Sequence, residues 1–228
     1  RVAHRLIHTK PPHQWHDGFP LGNGALGAIV WGDGDPLALT LDHADLWDTR
    51  VDRGYMDHPD YSYAGLRRLV AEQRFAEVRE IFASRPLRDT PICPTKISIG
   101  RAELRLGAAA EYECSLDIDR ASIEGRIRTA EAEHRLQAFV SRDQNLICLH
   151  LEDAPAASRM QLIPLAESCP ALAELRHPEP RIDAAGELRV FCQEIPERIC
   201  YAVAWNANGP DFFMAVETGE TAESATAL

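Results

Sequence analysis

Aspartate, histidine and tryptophan side chains are concentrated in one short segment, residues 41–48. Asp42, His43 and Trp47 follow a predicted strand, and loops that leave a rigid scaffold are where binding residues accumulate. A carboxylate accepts hydrogen bonds from sugar hydroxyls and an indole stacks on apolar C–H faces, so this combination suits a carbohydrate. The structural alternative is that Asp42 caps a helix while Leu46 and Trp47 pack inward. The residue types leave both interpretations open.

Three glycines lie within six residues of the segment 20–28, with Asn23 between the first two. Glycine loses much conformational entropy on folding, so its clustering needs a geometric reason. Either the glycines shape the start of a hairpin, or a loop passes close to a ligand or another domain. The segment lacks the preceding strand of a dinucleotide fingerprint. Asn23 is the one side chain in it that we expect to reach a substrate.

No residue pattern in the chain predicts a metal, a cofactor or a catalytic group. A proper metal site needs three or four ligands at suitable spacing, and the cluster of histidines near the start lacks them, so solvated histidines are the simpler interpretation. Asp and Glu are plentiful, but no pair stands out as the acid and base that glycoside hydrolysis requires. Neither a serine elbow nor a cysteine–histidine motif is present. The histidines in question stand at positions 4, 8, 13 and 16.

The elements that must position these residues follow mainly a period of two. Short strands with turn residues between them predict a sandwich or barrel, beginning with a hairpin over residues 25–41. One segment, 63–83, instead has the spacing of an amphipathic helix or helix pair, closed by Pro86 and Pro91. We therefore expect one β domain over residues 1–218 with a helical insertion near 62–84. The other predicted strands cover 101–106, 112–119, 122–129, 134–141, 145–152, 187–192, 198–205 and 211–217.

Composition excludes several classes of protein. The net charge of −11 argues against a nucleic-acid partner, and no apolar run approaches a membrane span. Six scattered cysteines without a C-x-x-C pair favour reduced thiols, although an even number leaves one or two disulfides open, and with them the compartment. The chain begins with Arg, so we expect any leader to be absent. The acidic, small-residue segment 219–228 predicts a truncated linker.

Specific motifs resemble a known family. Trp15 opens the pattern W-x4-P-L-G-N-G-x-L-G-A-x-V-x-G, and L-x-L-x-x-x-x-L-W follows and ends at Trp47. Together they resemble the opening of glycoside hydrolase family 95, the α-L-fucosidase and α-L-galactosidase family. The stretches 58–82 and 94–100 are similar to the loop, helix and returning segment of that family. The resemblance runs along the whole chain, but its specific motifs lie within about the first 105 residues.

The resemblance implies an all-β fold, a large antiparallel β-sandwich or supersandwich, placed before an (α/α)6 catalytic barrel. The acid and base of that family belong to the barrel, so this chain is expected to be inactive alone and to meet carbohydrate through the barrel. Its loops 20–24 and 42–47 would wall the sugar pocket, with Asn23, Asp42, His43 and Trp47 as substrate-binding residues. Members of the family read L-N-E-D-T-L-W where this chain has Asp42-His43 in place of Asn-Glu, a departure that leaves a glycoside other than the fucoside, or an altered function, open.

Two other classes of protein remain open. In a stand-alone carbohydrate-binding module without hydrolase activity, Trp15, Trp31 or Trp47 would form an exposed stacking platform. A purely structural scaffold domain would instead expose an apolar face that mates with the barrel. The exposure of the indoles and the polarity of the sheet faces distinguish these alternatives. The sequence gives no indication of oligomeric state.

Overall fold

The computed structural model describes residues 4–50, 57–82, 94–154, 159–169 and 175–226. In these ranges two large antiparallel sheets pack face to face, which confirms the predicted all-β sandwich. Helices are few, and none in the described ranges is long and apolar enough to cross a membrane.

The larger sheet has nine strands, and consecutive strands of the chain are neighbours through most of it. This arrangement is typical of short hairpin connections between antiparallel strands. In spatial order its strands are β1 (Arg5–His8), β8 (Glu111–Asp117), β9 (Ser122–Arg128), β10 (Glu133–Val140), β11 (Leu146–Glu152), β16 (Asp211–Gly219), β15 (Ile199–Asn206), β14 (Leu188–Ile195) and β13 (Arg181–Ala185).

The smaller sheet has five strands, and a separate two-stranded ladder extends from it. In spatial order the five are β12 (Gln161–Pro164), β7 (Gly100–Leu104), β4 (Leu37–His43), β3 (Leu26–Trp31) and β2 (Phe19–Gly22). The ladder pairs β5 (Trp47–Asp48) with β6 (Thr95–Lys96). A 3-10 turn over Trp15–Asp17 precedes β2.

Alternating side chains of the two sheets form one core. In β3 every second residue is buried and the others are partly exposed, as a sheet with one face on the core requires. Burying each large apolar side chain contributes roughly 1.5–3 kcal/mol, so the shared core is the main stabilising layer. The largest fully buried side chains are Phe19, Leu26, Leu37, Leu39, Leu41, Leu46, Leu69, Ile99, Leu104, Ile123, Phe191 and Phe212.

The helical insertion is a pair of short helices, α1 (Tyr63–Ala71) and α2 (Phe75–Phe82). The Ser62 hydroxyl caps α1 by accepting a hydrogen bond from the Gly65 amide at 3.0 Å. Gln73 adopts a φ of 57° between the helices, which turns the chain from one to the other. The prolines predicted to end the insertion lie outside the described residues.

Two more short helices follow, α3 (Leu165–Ser168) and α4 (Ala222–Ala225). Thr221 and Ser224 cap α4 reciprocally, and Ala225 is fully buried against Cys200 and Ala202 of β15. The residues 222–225 of the predicted linker are therefore packed on the larger sheet. That 219–228 leads towards another domain stays a prediction.

The predicted strands are found, with bounds that shift by one to three residues. Six short strands of the described ranges were not predicted: β1, β2, β5, β6, β12 and β13. The prediction of a loop from residue 20 is wrong for its first part, because residues 19–22 form an edge strand that tolerates Pro20. Asp42 lies in β4 and caps no helix, so the structural alternative fails in that form. The five cysteines in the described ranges are free thiols, and Cys93 lies outside them.

Candidate functional site

The four predicted site residues lie together at one end of the smaller sheet. Antiparallel pairing of β3 with β4 places Asp42 opposite Gly27 and His43 opposite Leu26. Beyond the ladder the Ala44 amide donates to the Ala25 carbonyl at 2.8 Å, which joins the β4–β5 loop to the β2–β3 turn. We call the group formed by residues 23–25, 42–47, 96 and 141–145 the loop cluster.

Asn23 uses its whole hydrogen-bonding capacity inside the protein. Its Nδ2 donates to the carbonyl oxygens of Ser141 and Gln144, each at 3.0 Å. Its Oδ1 accepts from the Ala25 and Leu26 amides at 3.0 and 2.9 Å. An asparagine side chain has two donor hydrogens and one oxygen with two lone pairs, so these four bonds fill it. Asn23 therefore joins the two sheets and has no group left for a sugar, contrary to the expectation from the sequence.

Lys96 holds Asp42 in place, a role that the sequence analysis did not assign. The ammonium Nζ lies 2.5 Å from Asp42 Oδ1 and also donates to the carbonyls of His43 at 2.8 Å and Ile97 at 3.1 Å. Asp42 Oδ1 also accepts from the His43 amide at 2.8 Å. Within the described ranges Asp42 Oδ2 has no hydrogen-bond partner, and half of the side chain is exposed. That oxygen can accept a hydrogen bond from a hydroxyl group.

His43 is buried between the two sheets, and only 3% of the residue is exposed. Its Nδ1 lies 3.3 Å from the Asp45 amide nitrogen, and its Nε2 lies 3.3 Å from Nδ2 of Asn145 in the β10–β11 loop. Both neighbours are donors, and the neutral ring accepts a hydrogen bond from one of them, because its other nitrogen carries the hydrogen. Burial lowers the pKa of His43 below its ordinary value of 6.5, although the nearby charge of Asp45 opposes that shift. At neutral pH the imidazole is therefore uncharged and links the two sheets.

Trp47 presents an exposed indole at the edge of the loop cluster, where 42% of the residue is accessible. Its Nε1 donates to the Ala44 carbonyl at 3.1 Å, and Lys96 Nζ lies 6.0 Å from the ring centroid. These contacts fix the orientation of a large apolar surface beside the Asp42 carboxylate. A fixed indole next to a hydrogen-bond acceptor is the combination that suits a sugar ring.

A cleft of about 640 Å³ covers the outer face of the smaller sheet and reaches the loop cluster at Asp42. Its walls are mainly apolar, with a few polar groups at fixed positions, which is typical of binding surfaces. Within it the Trp31 Nε1 donates to Thr40 Oγ1 at 2.9 Å, and Arg101 Nε donates to Glu103 at 2.5 Å. The residues that line the cleft include Trp15, Ile29, Trp31, Thr40, Asp42 and Arg101.

A buried ion network lies directly after Trp47. Asp48 is fully buried, and its Oδ2 lies 2.6 Å from Arg50 Nη2 and 2.8 Å from His177 Nε2. Arg50 also donates to the Leu175 carbonyl at 2.6 Å, so the network ties the end of β5 to the segment before β13. Sequence reasoning missed it because His177 lies 129 positions from Asp48, and Leu175 lies 125 positions from Arg50.

The histidines near the start serve other contacts. His8 packs against Phe19 with ring centroids 4.5 Å apart, and His4 Nδ1 lies 3.3 Å from Asp119 Oδ1. In the part of the chain that the structure describes, no group of three or more His, Cys, Asp or Glu side chains is arranged to hold a metal.

Comparison with known proteins assigns the family. Residues 6–210 match the glycosyl hydrolase family 65 N-terminal domain. A stretch of 75 residues is 38% identical to alpha-L-fucosidase 2 of Arabidopsis thaliana, and the match covers 32% of this chain and 9% of that relative. These findings confirm the N-terminal domain of a glycoside hydrolase but do not confirm the finer resemblance to family 95. The chain belongs to the family of glycosyl hydrolase family 65 N-terminal domains.

Proposed function

We propose that this chain is the non-catalytic N-terminal domain of an α-L-fucosidase-like glycoside hydrolase. The outer face of its smaller sheet braces a catalytic barrel encoded elsewhere in the parent protein. The loop cluster walls the sugar pocket of that barrel, with Asp42 and Trp47 directed to the sugar and His43 and Asn23 holding the loops. The observation that carries this proposal is the apolar cleft on the outer face, which runs into the loop cluster at Asp42.

The outer face of the smaller sheet forms a concave apolar surface, whereas that of the larger sheet carries ion pairs beside half-exposed aromatic residues such as Phe213. On the larger sheet, cross-strand ion pairs join Arg126 to Glu113 and Arg128 to Glu111, each at 2.9 Å, as on a solvated surface. The outer face of the smaller sheet presents Ile29 and Trp31, and Trp15 beside it is 54% exposed. A concave apolar surface of this kind favours burial against another domain. The match to an N-terminal domain, and a match that covers only 9% of the longer relative, support the presence of another domain in the parent, which we propose to be the catalytic barrel.

The expected parent reaction is hydrolysis of a terminal α-linked deoxyhexose or hexose. The contribution of this domain would be to position loops, since Asp42 is engaged by Lys96 and the His43 amide through one oxygen and offers the other to a hydroxyl. We expect the domain alone to release no sugar from nitrophenyl glycosides.

The bracing role is tested by placing a charge in the cleft. Ile29→Arg in the parent enzyme is expected to lower the melting temperature and the activity, because it buries a guanidinium against the barrel. Phe213→Arg is the matched control, since Phe213 is a half-exposed apolar residue on the outer face of the larger sheet. Calorimetry and a nitrophenyl glycoside assay are the measurements. Equal behaviour of the two variants would contradict the bracing role.

A stand-alone carbohydrate-binding module is the second candidate, favoured by the exposure of two indoles. Trp15 and Trp47 are 54% and 42% exposed, whereas Trp205 is buried. In this case the cleft itself would hold the sugar, and the domain alone would bind it. Titration of the isolated domain with fucose and galactose, followed by tryptophan fluorescence, distinguishes the two functions. Saturable quenching that Trp15→Ala abolishes would favour the binding module.

A further inference from the structure

We propose that the β10–β11 loop is a third wall of the sugar pocket, and that Arg142 and Asp143 at its tip contact adjacent hydroxyl groups of the sugar. This inference rests on the proposed function of the domain. It adds a wall from the larger sheet to a pocket whose other groups come from the smaller one.

The position of the loop is set by contacts across the two sheets. Asn23 donates both amide hydrogens to it, to the carbonyls of Ser141 and Gln144. The buried His43 lies 3.3 Å from Asn145 at its other end. The loop therefore stands beside the segment that carries Asp42 and Trp47, although it belongs to the other sheet.

The base of the loop is fixed while its tip is free. The Ser141 amide donates to the Leu146 carbonyl at 2.8 Å, and the Val216 amide donates to the Asn145 carbonyl at 2.9 Å. The side chains of Arg142 and Asp143, in contrast, are 95% and 90% exposed. A loop held rigidly at its base with polar groups directed outward is how a scaffold presents ligand contacts.

The chemistry of the tip fits a neutral sugar. Arg142 Nε and Asp143 Oδ1 are 4.0 Å apart, too far for a hydrogen bond, so both groups keep their capacity for other partners. A guanidinium presents a fork of donors and a carboxylate presents two acceptors, which together complement adjacent hydroxyls. The apolar surface of Trp47 provides the complementary contact for the C–H face of the ring.

The neighbouring β8–β9 turn provides a matched control. It carries Asp119 and Arg120, the same two charges, at the same end of the larger sheet. Its contacts run to the N-terminal segment instead, since Ile118 donates to the His4 carbonyl at 2.9 Å and His4 pairs with Asp119. Substitution of this pair removes the same two charges without touching the loop cluster.

The test compares three variants of the parent enzyme on a panel of nitrophenyl glycosides that includes the α-L-fucoside. Arg142→Ala/Asp143→Ala is expected to raise KM about tenfold, the loss of one charge-assisted hydrogen bond, with kcat changed by less than about twofold. Asp119→Ala/Arg120→Ala is expected to leave KM unchanged. Trp47→Ala reports on the proposed function independently and is expected to raise KM.

Each outcome decides one of the two proposals. If Trp47→Ala raises KM while the Arg142/Asp143 variant behaves like the Asp119/Arg120 control, the loop is not a wall of the pocket, and the proposed function stands. If none of the three variants changes KM, or if the parent hydrolyses no member of the panel, the proposed function fails and this inference fails with it.

Discussion

Lys96 and Asp42, which lie 54 positions apart in the sequence, form a 2.5 Å ion pair at the centre of the loop cluster. The pair connects the two-stranded ladder to the end of β4, and the same ammonium binds the His43 carbonyl. Lys96 is thus a positioning residue: it orients the carboxylate that we propose to meet the sugar, and it lies over the ring of Trp47.

Replacing Lys96 by methionine should disturb the loop cluster more than it destabilises the fold. The pair is partly exposed, so its loss is expected to cost about 1 kcal/mol in the free energy of unfolding, and less at high salt. The emission of Trp47 should shift as its environment loses the cation. Urea unfolding and tryptophan fluorescence measure the two effects. Lys10→Met replaces the other lysine of the chain, which is exposed, and should change neither.

Asn23→Ala should loosen the attachment between the sheets. Four hydrogen bonds disappear, but water can reach several of the freed groups, so we expect a loss of about 2 kcal/mol in the free energy of unfolding. Asn23→Asp keeps the two acceptor contacts and loses both donors to the β10–β11 loop. Its free energy of unfolding should therefore lie between those of the wild type and Asn23→Ala. Urea unfolding is the measurement, with the exposed Asn208→Ala as control. A cost of Asn23→Ala no larger than that of the control would show that the four bonds contribute nothing.

His43 should make the domain less stable in mild acid. Its pKa in the folded protein is lowered by burial, so the unfolded chain binds the proton more readily. As the pH falls below the ordinary value of 6.5, this residue contributes an increasing loss of stability, down to its folded pKa. His43→Gln should reduce the slope of unfolding free energy against pH between about pH 7 and 5. An unchanged slope in His43→Gln would refute the assignment.

Asp48→Asn should be the most damaging of these changes. Burial acts to raise the pKa of Asp48, but hydrogen bonds from Arg50 and His177 outweigh it and lower the pKa from 3.8 to about 2. The substitution leaves Arg50 without its buried counter-ion, which is expected to cost about 3 kcal/mol at pH 7. Because the wild-type advantage depends on the ionised carboxylate, it should shrink as the pH falls from about 4 through 2. Urea titrations of the wild type and the variant at pH 7 and at about pH 2 measure this difference in the free energy of unfolding. The exposed Asp183→Asn should show no such loss of stability.

The long strands could be predicted because they are runs of apolar and β-branched residues bounded by turn residues, and several of them alternate between core and solvent. Residues 145–152, for example, have the pattern that β11 shows as alternating burial. The missed strands β2 and β12 contain Pro20 and Pro164 and lie at sheet edges, where few residues contribute to a periodic signal. Edge strands are defined by a neighbour that is distant in the sequence, and no local pattern reports that neighbour.

The loop cluster was predicted in part for the same reason. Asp42, His43 and Trp47 are close in sequence, so their residue types already indicated a common site. The partners of the Asn23 amide group lie 118 and 121 positions away, and Lys96 lies 54 positions from Asp42, so no local pattern reports these contacts. A polar residue between glycines indicates that its side chain makes specific hydrogen bonds. Only the folded chain shows whether the partner is a ligand or the protein backbone.

The order of strands in the smaller sheet has a consequence for synthesis of the protein. Strand β12 pairs with β7 only after β8 to β11 of the larger sheet have been made. Strands β2, β3, β4 and β7 therefore leave the ribosome well before β12, which completes their sheet. Until β12 has been synthesised, the edge of β7 is unpaired. Such late closure between distant segments slows folding and leaves an edge exposed to other chains.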